Sequence, residues 1–144
     1  MLVDFYHLSA SPLERVLPRI CERLLEAGER LLIVADADQL DQLDAQLWTQ
    51  GGDSFMPHGL ASASSPERQP ILLAVEANPL NGAGNIALAD GRWRDEALGF
   101  ARTFYFFGGE TVEEARRIWR SLADREGLER RYWRQENGKW IQGP

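Results

Sequence analysis

The run Leu-Leu-Ile-Val-Ala at residues 31–35 decides the fold class of this chain. It is continuously apolar, and a run without polar alternation is typical of a strand that is covered on both faces of a parallel sheet. The runs at 2–8 and 71–75 are also dominated by apolar residues, and Arg-Thr-Phe-Tyr-Phe-Phe at 102–107 consists largely of residues that favour strands. We therefore expect a sheet with buried interior strands and a shorter strand at 86–89.

The segment after the first expected strand has the signals of a helix. Ser11, Pro12 and Glu14 form a typical helix start, with a capping residue, a proline at the first helical position and a glutamate that can complete a capping box. Pro18 predicts a kink or a late start, because proline removes a helical hydrogen bond. Gly28 is suited to the helix end. Between them lies an apolar stripe at helical spacing, which consists of Leu13, Leu17, Ile20 and Leu24.

Further elements follow along the chain. A second helix is expected over 36–48, with acidic residues in its first turns, and a brief helix over 92–100. Thr111 is expected to cap a last helix that ends near Leu128. Aromatic residues flank the Asn-Gly pair at 137–138 and predict a small terminal hairpin. This alternation of strand and helix patterns predicts an α/β fold with three layers and a mainly parallel central sheet.

Length and composition predict one domain, residues 1–144, because 144 residues with 44% hydrophobic content can bury a single core. We expect a soluble, cytoplasmic protein, because no apolar run approaches the roughly 20 residues of a membrane-spanning helix and the first residues lack the pattern of a signal peptide. The net charge of −6 argues against a broad surface for nucleic-acid phosphates. Cys21, the single cysteine, is expected in the core, without a disulfide or a zinc site.

The signatures of catalysis are weak. The turn at 7–12 lacks the glycines that let a backbone approach a pyrophosphate, and Gly82 and Gly84 are followed by neither a helix start nor the lysine of a phosphate-binding loop. We interpret His7 as a hydrogen-bonded structural residue, and His58 as a residue that orders a loop or contacts a partner. We expect no catalytic residue, no cofactor and no metal, with a small nucleotide-binding or phosphoryl-transfer enzyme as the alternative.

A cluster of basic and aromatic residues lies in the C-terminal half. Arg116, Trp119 and Arg120 stand at i, i+3 and i+4 of the last expected helix, and Phe107 ends the strand before it. The cluster suits an acidic peptide with an apolar end, because guanidinium groups bind carboxylates and aromatic surface takes an apolar side chain. One alternative is a helix face whose arginines pair with acidic neighbours. Another is a weak direct DNA-binding surface formed by Arg116, Arg117, Arg120, Arg125, Arg130 and Arg131.

An aromatic segment follows the second expected helix. Trp48 precedes the polar turn Gly-Gly-Asp at 51–53, and Phe55, Met56 and Pro57 follow that turn. Large apolar side chains at the exit of a helix and in the loop beyond it are either buried or offered to a partner. From the residues alone, both interpretations of this segment stay open.

Four segments carry a family resemblance: Phe-Tyr-His-Leu at 5–8, the strand sequence Arg-Leu-Leu-Ile-Val at 30–34, the aromatic segment at 47–60, and Ala-Arg-Arg-Ile-Trp at 115–119. The most specific part is Leu-Trp followed by Ser-Phe-Met-Pro-His within the aromatic segment. In their order these segments resemble the chi subunit of bacterial DNA polymerase III, over nearly the whole chain. The resemblance implies a Rossmann-like sheet without nucleotide chemistry, in a noncatalytic adaptor of the replicase clamp-loader assembly.

The resemblance also implies two protein-binding surfaces. One surface binds the psi subunit, which links chi to the clamp loader, or a repair helicase. On this chain its aromatic positions are Trp48 and Phe55, with Met56 and Pro57 beside them. The other surface binds the acidic, Pro-Phe-ending C-terminal tail of single-stranded DNA-binding protein.

The tail-binding positions lie in the C-terminal half. Arg116 occupies the position of the family's arginine that receives the tail, and Arg120 is expected to assist it. Trp119 occupies a position where the family has tyrosine, and Phe107 occupies the apolar position just before the helix. No contact is assigned to 132–140. The resemblance implies a protein that is a monomer alone and a heterodimer with psi, that meets DNA only indirectly and that has no membrane partner.

Overall fold

The computed structural model describes residues 1–9, 12–49, 58–61 and 65–143, with the backbone alone at 48 and 49. These residues form one eight-stranded sheet and three α-helices. The strands are β1 (Leu2–His7), β2 (Leu31–Val34), β3 (His58–Leu60), β4 (Ile71–Ala74), β5 (Asn85–Leu88), β6 (Arg102–Phe107), β7 (Glu129–Glu136) and β8 (Lys139–Gln142). The helices are α1 (Leu13–Glu26), α2 (Ala37–Thr49) and α3 (Val112–Ser121), and short 3-10 turns span Pro66–Arg68, Asp95–Gly99 and Gly109–Thr111.

The strand order in the sheet is β3-β4-β2-β5-β6-β1-β7-β8. Every pair of neighbours is parallel except β7 and β8, which form an antiparallel hairpin. Asn137 and Gly138, with φ of 52° and 76°, supply the left-handed turn that such a tight hairpin needs. The expected mainly parallel sheet and the terminal hairpin are therefore confirmed, in a Rossmann-like α/β fold.

Helices cover both faces of the sheet. α1 and α2 pack on one face, where Leu17, Leu43 and Phe106 belong to one buried cluster. α3 covers part of the other face, where Ala115 packs with Phe5 and Tyr105. The apolar stripe expected on the first helix is buried, and so are the leucines of α2 that face the sheet: Leu13, Leu17, Ile20 and Leu24 in α1, and Leu40, Leu43 and Leu47 in α2. This arrangement confirms the three layers that the alternating sequence pattern predicts.

Cys21 lies inside the core between α1 and the sheet, as expected. Its side chain is fully buried, and burial raises the pKa of the thiol to about 12. The thiolate is the reactive form of cysteine, so this residue is a packing element rather than a nucleophile.

The helix boundaries differ from the predictions in two places. Pro12 has φ −71° and ψ 159°, which is extended backbone, so the first helical residue is Leu13 rather than Pro12. α1 then continues through the buried Pro18, so the late start that this proline allowed does not occur.

α3 ends at Ser121 and not near Leu128. Leu122 is buried against the sheet, and Gly127 has a φ of +77°, a left-handed conformation that reverses the chain. The early end lets the chain return to the sheet and begin β7 at Glu129 beside β1. In the segment expected to form a brief helix, the structure has a 3-10 turn at Asp95–Gly99.

A buried carboxylate lies in the middle of β1. Asp4 is 0% exposed, and it accepts hydrogen bonds from Arg131 Nε at 2.7 Å, Arg102 Nη2 at 2.9 Å and Trp133 Nε1 at 3.0 Å. Burial raises the pKa of Asp4, but these donors outweigh burial and leave the pKa below its usual value. The network ties β6 and β7 to the strand between them.

Candidate functional site

A pocket of about 250 Å³ opens between α3, the last residue of β1 and the middle of β7. We call it the α3 pocket. It is lined by His7, Arg116, Trp119, Arg120, Tyr132 and Arg134. Three of these residues, Arg116, Trp119 and Arg120, are the ones whose helical spacing predicts a common face, and the structure brings them together.

Arg116 is an arginine of α3 that lines the pocket and is open to a ligand. Its side chain is 55% exposed, and its one ion pair among the described residues is with Glu113, at 3.3 Å between Nη1 and Oε1. An exposed pair of this kind contributes about 0–1 kcal/mol and is readily exchanged. The ion pair that the alternative interpretation of this helix face predicts is therefore present. A ligand carboxylate can nevertheless displace Glu113 from Arg116 at little cost in free energy.

Trp119 forms a fixed wall of the pocket. Its ring meets Phe5 edge to face with 5.1 Å between centroids, and it meets Tyr132 in the same way at 5.5 Å. The guanidinium carbon of Arg130 lies 3.9 Å from the indole centroid, a cation–π contact on the ring face. These contacts hold the indole in one position, so little side-chain freedom remains to be lost when a ligand binds.

His7 and Tyr132 form the floor beside that wall. The Tyr132 hydroxyl lies 3.4 Å from His7 Nδ1, and the imidazole stacks on Phe107 at 5.1 Å. Burial lowers the pKa of His7, and the positive charge of Arg116 lowers it further. The imidazole is therefore neutral near pH 7, and the positive charge of the pocket comes from its arginines.

Phe107 lies under the pocket and does not line it. It is 1% exposed and packs against His7 and Tyr132 from below. Its position supports the floor of the pocket. Phe107 ends the strand before α3, as the sequence predicts. Its side chain is buried because β6 is an interior strand of the sheet.

Tyr132 and Arg134 are pocket residues that the sequence prediction did not include, since 132–140 was assigned no contact. Both belong to β7, in which successive side chains point to opposite faces of the sheet. The sequence signal that could have identified them is their i, i+2 spacing. This spacing places both side chains on one face once β7 is recognised as a strand. His7, interpreted as structural, both forms a hydrogen-bonding contact and lines the pocket.

Much of the aromatic segment falls outside the described residues. Trp48 is in the last turn of α2, where the backbone alone is described, and Phe55, Met56 and Pro57 lie beyond the described ranges. His58 begins β3, a strand that the sequence did not predict, and it is 5% exposed with Nε2 3.2 Å from Asp44 Oδ1. The contact joins the edge strand to α2.

Within the described ranges, no group of three or more histidine, cysteine, aspartate or glutamate side chains is placed to hold a metal ion. None of the helices found there has both the length and the apolar character needed to cross a bilayer.

Comparison with known proteins agrees with the resemblance of the sequence. The family described as "DNA polymerase III chi subunit, HolC" matches residues 1–129. A DNA polymerase III subunit chi from Pseudomonas aeruginosa is 33% identical over 119 residues, which cover 78% of each chain. A probable DNA polymerase III subunit chi from Rickettsia prowazekii is 26% identical over 86 residues, which cover 59% of this chain and 52% of the relative. The chain therefore belongs to the DNA polymerase III chi subunit family, whose members are accessory subunits of the replicase.

Proposed function

We propose that this protein is a noncatalytic adaptor that binds the acidic C-terminal tail of single-stranded DNA-binding protein in the α3 pocket and joins it to the replicase clamp-loader assembly. Membership of the chi family gives the chain an accessory role in DNA replication. The observation that carries the choice of ligand is the pocket itself: three arginines around a fixed aromatic wall, on a chain whose net charge is −6.

The charge of the pocket suits carboxylates. Arg116, Arg120 and Arg134 lie around it, while the neutral His7 adds no charge. A guanidinium group can bind a carboxylate through two parallel hydrogen bonds, so arginines suit both acidic side chains and a terminal carboxylate. In this assignment Arg116 is the main anchor and Arg120 assists it.

The size and lining of the pocket suit the end of a peptide. About 250 Å³ is below the roughly 300–1,000 Å³ of typical sites for drug-sized ligands and cofactors. Trp119 and Tyr132 offer ring surface to one apolar side chain, and Phe107 supports them from below. An aromatic residue at the end of the tail can pack on this surface while its carboxylate meets Arg116.

A small contact of this kind gives modest affinity. Single-stranded DNA that is coated with its binding protein displays many tails, and many tails raise the effective concentration around the pocket. Repeated weak binding then keeps the adaptor near the template.

The second surface is assigned to Trp48, Phe55, Met56 and Pro57, with the psi subunit or a repair helicase as its partner. Family membership supports this assignment, and so does the position of the segment between α2 and the edge strand β3. β3 and β1 are five strand spacings apart, roughly 24 Å at 4.8 Å per spacing. This separation leaves room for two partners to bind at the same time.

Isothermal titration calorimetry with a synthetic tail peptide tests the proposal. The full tail is expected to bind, and a peptide of equal charge that lacks the terminal phenylalanine is expected to bind at least about tenfold more weakly, because it leaves the aromatic wall unfilled. Equal affinity for the two peptides would show that charge alone attracts the tail. That result would contradict the role given to Trp119 and Tyr132.

A further inference from the structure

A second groove lies on the opposite face of the sheet from the α3 pocket, between α1 and the β7–β8 hairpin. We call it the hairpin groove. Its volume is about 500 Å³, twice that of the α3 pocket. Its lining combines three aromatic residues with three arginines of α1: Tyr6, Trp133, Trp140, Arg15, Arg19 and Arg23.

The three arginines form a row along α1. They stand at i, i+4 and i+8, so the row is about 12 Å long at 1.5 Å per residue. All three are exposed, and none is within ion-pair distance of an acidic side chain in the part of the chain that the structure describes. Glu22 and Glu26 are on the same helix, but neither lines the groove.

The aromatic rings of the groove are held in place by the fold. Tyr6 meets Trp140 edge to face at 5.3 Å and stacks with Trp133 at 6.4 Å and an interplanar angle of 17°. Trp133 donates a hydrogen bond from Nε1 to the buried Asp4 at 3.0 Å, which fixes its ring. These half-buried rings present aromatic surface beside the arginine row.

The base of the groove is also positive. Asp4 carries one negative charge, and both Arg102 and Arg131 donate hydrogen bonds to it, so this cluster keeps a net positive charge. Arg102 itself lines the groove. No acidic residue is among the lining residues in the described part of the chain, although the protein as a whole is acidic.

We propose that the hairpin groove binds single-stranded nucleic acid. The arginine row can follow several successive phosphates, since a stacked strand carries one phosphate per roughly 3.4 Å. The rings of Tyr6, Trp133 and Trp140 can stack on unpaired bases, which is how sequence-tolerant sites for single strands are built. A duplex hides its base faces, so it cannot use these rings.

The groove is separate from the α3 pocket because β7 alternates between the two faces of the sheet. Tyr132 and Arg134 line the pocket, while Trp133 and Gln135 line the groove. Neither proposal depends on the other. None of the arginines that the sequence suggested for direct DNA binding lines this groove, although Arg131 belongs to the charged cluster at its base.

Fluorescence anisotropy with a labelled oligothymidylate of about 15 nucleotides tests the proposal. Saturable binding is expected at about 50 mM salt, and log Kd is expected to rise with log salt with a slope of about 2, as about three phosphate contacts predict. The double variant Arg19→Ala/Arg23→Ala, and separately Trp140→Ala, are each expected to weaken binding about tenfold. Thermal unfolding confirms that each variant is folded.

The matched control is Arg117→Ala/Arg125→Ala, which removes the same charge from exposed residues outside the groove. It is expected to leave the affinity within about twofold of the wild type. Equal weakening by the control double variant, equal competition by a duplex of the same length, or equal competition by an oligoglutamate peptide would each overturn the proposal. Absence of binding at low salt would overturn it as well.

Discussion

The indole of Trp119 meets the ring of Tyr132 edge to face, with 5.5 Å between the ring centroids. Trp119 belongs to α3, and Tyr132 belongs to β7, so β7 completes a pocket that the helix alone cannot form. The family match covers residues 1–129, and Tyr132 lies just beyond it. The site thus combines a helix inside the matched region with a strand that follows it.

The contribution of β7 is tested by Arg134→Ala. This change is expected to weaken tail-peptide binding a few-fold, about 0.5–1 kcal/mol, because Arg134 lines the pocket but is already paired with Glu136. Glu136→Ala releases Arg134 and serves as the opposite change, with binding expected to be equal or tighter. Calorimetric titration of both variants with the tail peptide measures the effect. Wild-type affinity in Arg134→Ala would show that the charge of Arg134 in β7 does not contribute to tail binding.

The second surface is tested by Trp48→Ala and Phe55→Ala. Each change is expected to reduce copurification with the psi subunit or a repair helicase, because aromatic anchors carry much of the energy of protein interfaces. Tail-peptide binding is expected to stay unchanged, since β1 at the α3 pocket lies five strand spacings from β3, the strand that follows this segment in the chain. Loss of both activities together, or loss of the folded state, would indicate that these side chains are core residues.

The buried network at Asp4 makes a prediction about stability. Asp4→Asn is expected to lower the free energy of unfolding by about 3 kcal/mol, because it leaves Arg102 and Arg131 without their carboxylate. The value is at the low end for a broken buried pair, since both guanidinium groups partly reach solvent. Urea unfolding monitored by tryptophan fluorescence measures the change, and a loss below about 0.5 kcal/mol would show that the network is marginal.

The same residue predicts a pH dependence. The pKa of Asp4 is lowered in the folded protein, so its contribution to stability is complete above the unfolded pKa of about 4 and is lost as pH falls through the folded value. The free energy of unfolding of the wild type is therefore expected to decline below about pH 4. The decline is expected to be shallower in Asp4→Asn, and parallel curves for the two proteins would refute the assignment.

The sequence predicts those parts of the fold whose pattern is local. The run at 31–35 is apolar at every position, because β2 is covered on both faces, and its burial follows from that pattern alone. The spacing of Arg116, Trp119 and Arg120 likewise fixes a common helix face before any tertiary contact is known. Both predictions depend only on how side chains repeat along a single strand or helix.

The missed features depend on partners that are distant in the chain. β7 is expected from the sequence only as one arm of the terminal hairpin, and it is an interior strand because it also pairs with β1, where Asp4 accepts hydrogen bonds from Arg131 and Trp133. β3 has three residues and is defined by its pairing with β4. The depth of Phe107 follows from the strands on both sides of β6. None of these contacts has a signal in the local sequence pattern.

The most direct test of the proposed function compares Arg116→Ala with Arg117→Ala in calorimetric titrations with the tail peptide. The two arginines are adjacent in α3, both are exposed and each pairs with a glutamate three residues earlier, but Arg116 alone of the two lines the pocket. Arg116→Ala is expected to weaken binding at least about tenfold, since it removes a charge-assisted contact, while Arg117→Ala stays within about twofold of the wild type. Wild-type affinity in Arg116→Ala, or equal losses in the two variants, would contradict tail binding in the α3 pocket.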